Sequence, residues 1–465
     1  MGKTAEKAQT VIFKEIEPKP DFTAGGLSEH IVSLAVPSML ALVFQSAYIF
    51  VDMIWLGRLS KEAITAVTIY WIFDMMLALF NQIVAMGSFS LIARSYGAGN
   101  YEETSTVIGQ TFVFKMFVAI PAAILGYFLV YDAFKWYGAD EHVAVLGQQY
   151  GRIMLAALPI YYSGFTLTTA FRSIGDVKKP MILAAITMGM NVALDPLFIF
   201  GIGSFKGWGV AGAAFASVLC QMVFFVIALR WFFSGKTFVR LSLRHLTRPS
   251  LYWILKFVRI GAPAAVGDAC RFTSQFFLGR VVLGFGTAAM ATLGIGAQLL
   301  QLSWIPLFGI AGSTGTLVGQ NLGAGKPERA EKTVLLGTFL VIGIMSAISV
   351  LSYIFAAEFV RIFSRDAEVI QIGRVMVRFG ALVIMFISVT GGLAAAFLGS
   401  GDTVPLAVIQ AVYLWGIQNP LVLIFVKGLG LPVEFVWLSV LIAEFSGCLI
   451  TMCWFSKGKW KQKKV

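Results

Sequence analysis

The chain has 465 residues, 58 % of them hydrophobic and 13 % charged, with a mean hydropathy of +0.81. A soluble globular protein carries about 25 % charged residues, so a full water-facing coat is excluded and lipid is the expected solvent. The net charge of +12 is not a nucleic-acid signature, because the basic residues gather between apolar runs and at the C-terminal end, where membrane topology accounts for them.

Residues 1–28 are charged and mixed, and read as a cytoplasmic arm rather than a cleaved signal peptide. A crossing takes about 20 apolar residues. Such runs follow near 30–56, 63–92, 105–131, 144–171, 180–202 and 209–233. The polar stretch 235–250 reads as a linker, and a second set of runs follows near 252–283, 288–318, 332–357, 369–398, 405–426 and 433–455. Residues 457–465 form a basic tail with Lys457, Lys459, Lys461, Lys463 and Lys464, expected to lie against anionic lipid. None of the runs shows the short alternating pattern of a transmembrane barrel. The predicted fold is an all-α polytopic membrane protein, with twelve transmembrane helices forming two pseudo-symmetric six-helix bundles: an N-lobe over 29–234 and a C-lobe over 251–456.

The halves repeat one another. Pro37 recurs as Pro263, Gly97-Ala98-Gly99 as Gly323-Ala324-Gly325, and Phe171 with Gly175-Asp176 as Phe397 with Gly401-Asp402, always at an offset of 226. An even number of spans per half makes the repeat parallel, an arrangement that builds transporters with a substrate site between the halves. Lys3, Lys7, Lys14, Lys19, Arg94, Arg172, Lys178, Lys179, Arg240, Arg244, Arg248, Lys326 and Arg329 share one side with the tail, whereas Arg58, Lys61, Lys135, Lys206, Arg361, Arg365 and Lys427 hold the other. This excess puts both termini in the cytoplasm of a cell-membrane protein.

No catalytic constellation is visible. His30, His142 and His245 are scattered, no phosphate-cradling Gly-rich loop with a lysine is present, and Cys220, Cys270, Cys448 and Cys453 read as small core residues. The informative groups are the acids inside spans: Asp52, Asp74, Asp195, Asp268 and Glu444. A charge at the bilayer centre costs about 2.5–3.5 kcal/mol on insertion scales, so such residues face cavities and usually act. Asn191 and Asp195 lie one turn apart on one helix face. Pro196 cannot donate to the Val192 carbonyl, which leaves an open acceptor near the acid. Together these groups suit a proton or Na+. In the first span Pro37 and Asp52 are 15 residues apart, ~22 Å along a helix, so a bend at the proline reaches the acid only through helix packing.

These residues resemble the multidrug and toxic compound extrusion (MATE) transporters over roughly 28–456, in the twelve spans, the six-plus-six duplication, the basic linker and the Gly-Ala-Gly turn after each half's second span. The N-lobe is similar to the archaeal and DNA-damage-inducible F-like branch. There a first-span Pro and Asp, a fourth-span Tyr and a fifth-span Asn-x-x-x-Asp-Pro occur together, matching Pro37, Asp52, Tyr150, Asn191 and Asp195-Pro196 here. The resemblance implies that Asp52 and Asp195 carry the coupling ion with Asn191 and Tyr150, Ser217 supplying a hydroxyl, and that any bound Na+ sits at Asp52, Asn191 and Asp195. The chain departs from the other bacterial branch, because Arg271 stands where a seventh-span Glu is expected, eight residues after Pro263, and the tenth span has no acid. Gln45, Asp74 and Arg271 are expected at the substrate cavity.

The implied function is a secondary active multidrug efflux transporter, exchanging H+ or Na+ for amphipathic, mostly cationic organic compounds by alternating access. It is expected to be a monomer in membrane lipid, with no enzymatic activity, no cofactor beyond the coupling ion and no nucleic-acid partner. The same superfold contains lipid and lipid-linked oligosaccharide flippases with basic cavities, an alternative that Arg271 and Arg280 keep open, although flippases usually have fourteen spans.

Overall fold

The computed structural model describes residues 20–246 and 249–463. Lys3, Lys7, Lys14, Lys19, Arg248 and Lys464, counted above toward the arm, linker and tail, lie outside the described residues. The N-lobe opens with α1 (Leu27–Leu59), α2 (Lys61–Gly97) and α3 (Tyr101–Tyr137), helices of 33 to 37 residues. At 1.5 Å per residue they exceed the ~30 Å hydrocarbon layer. Short polar side chains begin them: the Ser60 hydroxyl accepts from the Ala63 N–H of α2 at 3.0 Å, and Asn100 Oδ1 from the Glu103 N–H of α3 at 3.2 Å.

The fourth span, expected as one run, is two helices, α4 (Glu141–Ala156) and α5 (Leu158–Ile174), bent by 54° at Ala157. Pro159 has no N–H to return to the Leu155 carbonyl, so the helix breaks there. By contrast α1 runs unbroken through Pro37. The N-lobe closes with α6 (Lys178–Phe200), a two-residue hairpin pairing Gly201–Ile202 with Phe205–Lys206, and α7 (Val210–Ser234). After the short linker helix α8 (Leu243–Leu246), the C-lobe follows as α9 (Leu251–Leu283), α10 (Thr287–Gly323), α11 (Pro327–Ile354), α12 (Ala356–Phe363), α13 (Ala367–Ser400), α14 (Val404–Gly428) and α15 (Glu434–Ser456). Among the described residues ten helices are long and apolar enough to cross a membrane, and the bent α4–α5 pair makes an eleventh. The twelfth crossing is α9, 33 residues long but interrupted by Lys256, Arg259, Asp268, Arg271 and Arg280. The repeated Gly-Ala-Gly turns share a backbone reason: Gly99 and Gly325 have φ of 75° and 71°, a left-handed conformation open to glycine.

The lobes exchange their first helices at the base. Ile31, Leu34 and Ala35 of α1 pack in the C-lobe core with Leu307, Ile310 and Val341. Phe257 and Ile260 of α9 pack in the N-lobe core with Ile92, Ile108 and Phe171. Among the described residues the cross-lobe hydrogen bonds fall in the half of the molecule that holds the linker and tail. Arg94 Nη1 donates to the Ser400 carbonyl at 3.0 Å, Gln320 Nε2 to the Ser173 carbonyl at 2.9 Å, and Thr316 Oγ1 to the Arg172 carbonyl at 3.0 Å. Arg329 Nη2 donates to the carbonyls of Ala24 and Gly25 at 2.9 Å each.

Two expectations change. The tail, expected against lipid, packs back on the protein: Trp460 is buried against Phe455, Lys461 pairs with Glu331 at 2.7 Å, and Lys463 with Asp402 at 3.1 Å. Glu331 of α11 and Asp402 in the turn before α14 thus take two of the tail's lysines. Of the four cysteines, Cys220 and Cys448 are buried but Cys453 is exposed. Apolar surroundings alone do not separate a lipid-facing position from an interior one.

Candidate ion-coupling site and substrate cleft

The polar centre of the N-lobe is assembled by three helices. Asn191 and Asp195 share one face of α6 and are fully buried, and Asp52 meets them from α1. Asn191 Nδ2 donates to Asp52 Oδ1 at 2.8 Å and to Asp195 Oδ1 at 2.9 Å, so one amide bridges two carboxylates that are 143 residues apart in sequence. From α7, Ser217 Oγ donates to Asp52 Oδ2 at 3.5 Å and accepts from the Tyr48 hydroxyl at 2.9 Å. Two buried oxygens are left over: Asp195 Oδ2 and Asn191 Oδ1 have no hydrogen-bond partner. Buried oxygens normally find a donor or a cation. A proton fits between the carboxylates, and a hard cation fits the same oxygen set.

The remaining residues singled out in the sequence divide. Tyr150 is buried in the same lobe, near enough to feel the charges of Asp52 and Asp195, but its ring packs edge-on against Tyr70 with centroids 5.2 Å apart. Among the described residues it makes no hydrogen bond to either acid. Asp74 on α2 faces Tyr70, Tyr150 and Tyr162, apart from the Asn191 bridge. Pro196 follows Asp195 directly and removes the donor for the Val192 carbonyl. Pro37 lies at the base of α1, two residues before Met39, whose side chain fills the place of a side chain at Gly309 of α10; a Cβ there would come within 2.2 Å of Met39 Cγ. Pro37 is therefore at the lobe contact and far from the acids. Gln45 is exposed and Arg271 half-buried, and the two are repeat counterparts, 226 residues apart.

The sequence reading missed Tyr48, although it lies four residues before Asp52, the same one-turn spacing that marked Asn191 and Asp195. It also missed Lys115, which is completely buried in α3 with no partner for its Nζ. A lone lysine inside an apolar run is the signal that would have found it.

The MatE family model matches this chain twice, over residues 37–197 and 263–424. The chain belongs to the MATE family. The matches begin 226 residues apart, the offset read from the repeated motifs. The probable multidrug resistance protein YoeA of Bacillus subtilis is 24 % identical over 433 residues, covering 92 % of this chain and 93 % of that protein. The probable multidrug resistance protein NorM of Thermotoga maritima is 25 % identical over 465 residues, covering 98 % and 97 %. A transporter of the MOP superfamily from Pyrococcus furiosus has the same fold, with a TM-score of 0.88 at 23 % identity over 97 % of this chain and all of that one. The reversed polarity of that transporter's binding pocket suggests a different function for it. As a MATE protein the chain is a multi-pass membrane transporter and not an enzyme, with its twelve crossings in two six-helix halves.

Proposed function

We propose that this MATE protein is a secondary active multidrug exporter of the cell membrane, with its N-lobe carboxylate pair alternately occupied by the coupling ion. The observation that carries the reading is the Asn191 bridge: two buried acids held by one amide, with Asp195 Oδ2 and Asn191 Oδ1 unpartnered. An acid pair in low dielectric titrates as a unit, which suits H+, and we favour H+ over Na+ because few neutral oxygens complete the set. With both termini cytoplasmic, the lobes are joined on the cytoplasmic side, the arrangement of an outward-open transporter. We place it nearest the archaeal and DNA-damage-inducible F-like branch, on Pro37, Asp52, Tyr150, Asn191 and Asp195-Pro196. The expected substrates are amphipathic organic cations, in keeping with relatives named as multidrug resistance proteins. The comparisons do not favour a flippase.

The test is efflux of a fluorescent organic cation from proteoliposomes with an imposed pH or Na+ gradient. The proposal expects transport driven by the pH gradient and lost in Asp195→Asn. Transport driven only by Na+ would keep the site and replace the ion; gradient-driven transport at the wild-type rate in Asp195→Asn would overturn the site.

A further inference from the structure

The C-lobe carries its own polar centre, and it is not a copy of the N-lobe pair. At the repeat offset of 226, Asp52, Asn191 and Asp195 correspond to Leu278, Ile417 and Leu421, while Asp268, Arg271, Tyr413 and Glu444 correspond to Leu42, Gln45, Thr187 and Val218. Each lobe therefore lost one set of polar residues or gained another, and the C-lobe set contains a guanidinium.

Arg271 is the unusual member. Asp268 and Glu444 are near enough to act on it electrostatically, yet among the described residues no carboxylate lies within 4.0 Å of its nitrogens and none of them donates a hydrogen bond. Its Nε is buried without a partner. Tyr413 lies beside Glu444, and Gln82 of α2 beside Asp268. What Arg271 does have is an aromatic face, with its Cζ 5.5 Å from the centre of the Trp304 ring. The surroundings are built for more than packing. The backbone of α14 widens into π-helical turns over Ala411–Gln418, a feature that concentrates at functional sites. Trp415 Nε1 there donates to the Cys270 carbonyl at 3.2 Å, and Ser274 Oγ donates to Asn419 Oδ1 at 2.9 Å, pinning α9 on both sides of Arg271.

The depth of Arg271 relates it to the N-lobe. Helices α2 and α9 run antiparallel and touch where a Cβ on Gly261 would lie 1.7 Å from the Ile83 carbonyl oxygen. From that contact Asp74 is nine residues along α2 and Arg271 ten along α9, both toward the side opposite the linker, or ~14 and ~15 Å. An acid on the N-lobe and a guanidinium on the C-lobe thus stand at one level of the molecule.

We propose that Arg271 and Trp304 anchor the carboxylate of a zwitterionic aromatic substrate, whose amine faces the acids of the N-lobe. A guanidinium presents a planar fork that matches a carboxylate, and the Trp304 indole, itself stacked on Phe308 with centroids 5.0 Å apart, steadies that fork. The proposal deepens the multidrug reading and rests on the cleft between the lobes being the substrate path.

The test uses rhodamine B, which carries a free carboxylate, and its ethyl ester, which does not. Binding of both to purified wild-type protein, Arg271→Gln and Arg271→Lys is measured by fluorescence, with melting curves to establish folding. Wild-type protein should prefer rhodamine B. Arg271→Gln should lower the affinity ratio of acid to ester by roughly tenfold or more, and Arg271→Lys by less, since it keeps the charge and loses the fork. An unchanged ratio in Arg271→Gln, or no wild-type preference for the acid, would overturn the proposal. Gradient-driven efflux of the ester in wild type and Asp195→Asn separates the readings: if neither gradient drives it, the exporter reading fails while the dye selectivity stands on its own.

Discussion

Ala93 of α2 and Gly319 of α10 are repeat counterparts, 226 residues apart, and they face each other across the lobe interface: a Cβ on Gly319 would lie 2.6 Å from the Ala93 Cβ. The pseudo-twofold axis therefore passes between them. Its reciprocal contacts follow on either side. A Cβ on Gly97 would fall 2.1 Å from the Gln320 carbonyl oxygen, and one on Gly323 would fall 2.0 Å from that of Arg94. Residue i meeting j while j meets i is the rule of a twofold interface, here realised inside one chain.

Gly323→Val should hold the lobes apart on the linker side. The backbone carbonyl of Arg94 offers no flexible atom to give way, and overpacking of this kind costs about 1–3 kcal/mol. The expected result is a folded protein with a lowered melting temperature, a longer inter-lobe distance between spin labels on the linker side and transport reduced about tenfold. Wild-type distances would show that the contact yields.

Asp52→Asn and Asp195→Asn should each abolish gradient-driven efflux while leaving expression near normal, because each keeps the shape of the side chain and removes its charge. Asp74→Asn, away from the Asn191 bridge, should lower transport less. The measurement is dye efflux from cells with matched protein levels, and an Asp74 effect equal to that of Asp195 would extend the coupling site to α2.

Asn191→Leu removes the donor shared by the two acids. Leaving a buried acceptor without its donor costs about 1–3 kcal/mol, so the melting temperature should fall. The loss should be smaller when Asn191→Leu is made in an Asp195→Leu background, because only one bridge remains to break. A double-mutant cycle of melting temperatures checks this, and strict additivity would mean that the amide does not couple the pair.

Pro37→Ala returns an N–H donor to the Ser33 carbonyl and straightens the choice available to the base of α1. If that segment moves during the cycle, kcat should fall more than substrate affinity. A change in melting temperature alone, at unaltered turnover, would make Pro37 a static feature of the lobe contact.

Arg94 Nη1 also donates to the carbonyl of Lys463 at 2.7 Å, so the tail is strapped to the N-lobe side of the joint. Each charge-assisted bond of this type contributes about 1.5–3 kcal/mol. Arg94→Gln should shift the conformational equilibrium toward the state open on the linker side by more than about tenfold, read from the same spin-label distances. Truncation after Gly458 should shift it in the same direction and by less, since Arg94 keeps its bond to Ser400.

The sequence by itself determined the solvent, the number of crossings, the duplication and the acids of the site, because these are recorded in composition, in period and in the exceptional cost of a charge in lipid. Asn191 and Asp195 were legible as a pair since their spacing is one helical turn. The partnership of Asp52 with Asn191 entered only through the family resemblance, as no local rule relates residues 139 apart. Tertiary packing alone decided that Tyr150 packs on Tyr70 while Tyr48 reaches Asp52 through Ser217, that Pro37 lies at the lobe contact, and that the tail folds back onto Glu331 and Asp402. It also decided that α1 and α9 begin in each other's lobe. In lipid every face of a span is apolar, so hydropathy marks where a helix crosses and carries almost no information on which helix it meets. That choice is made by small residues such as Gly261, Gly319 and Gly323, whose missing side chains let two backbones touch.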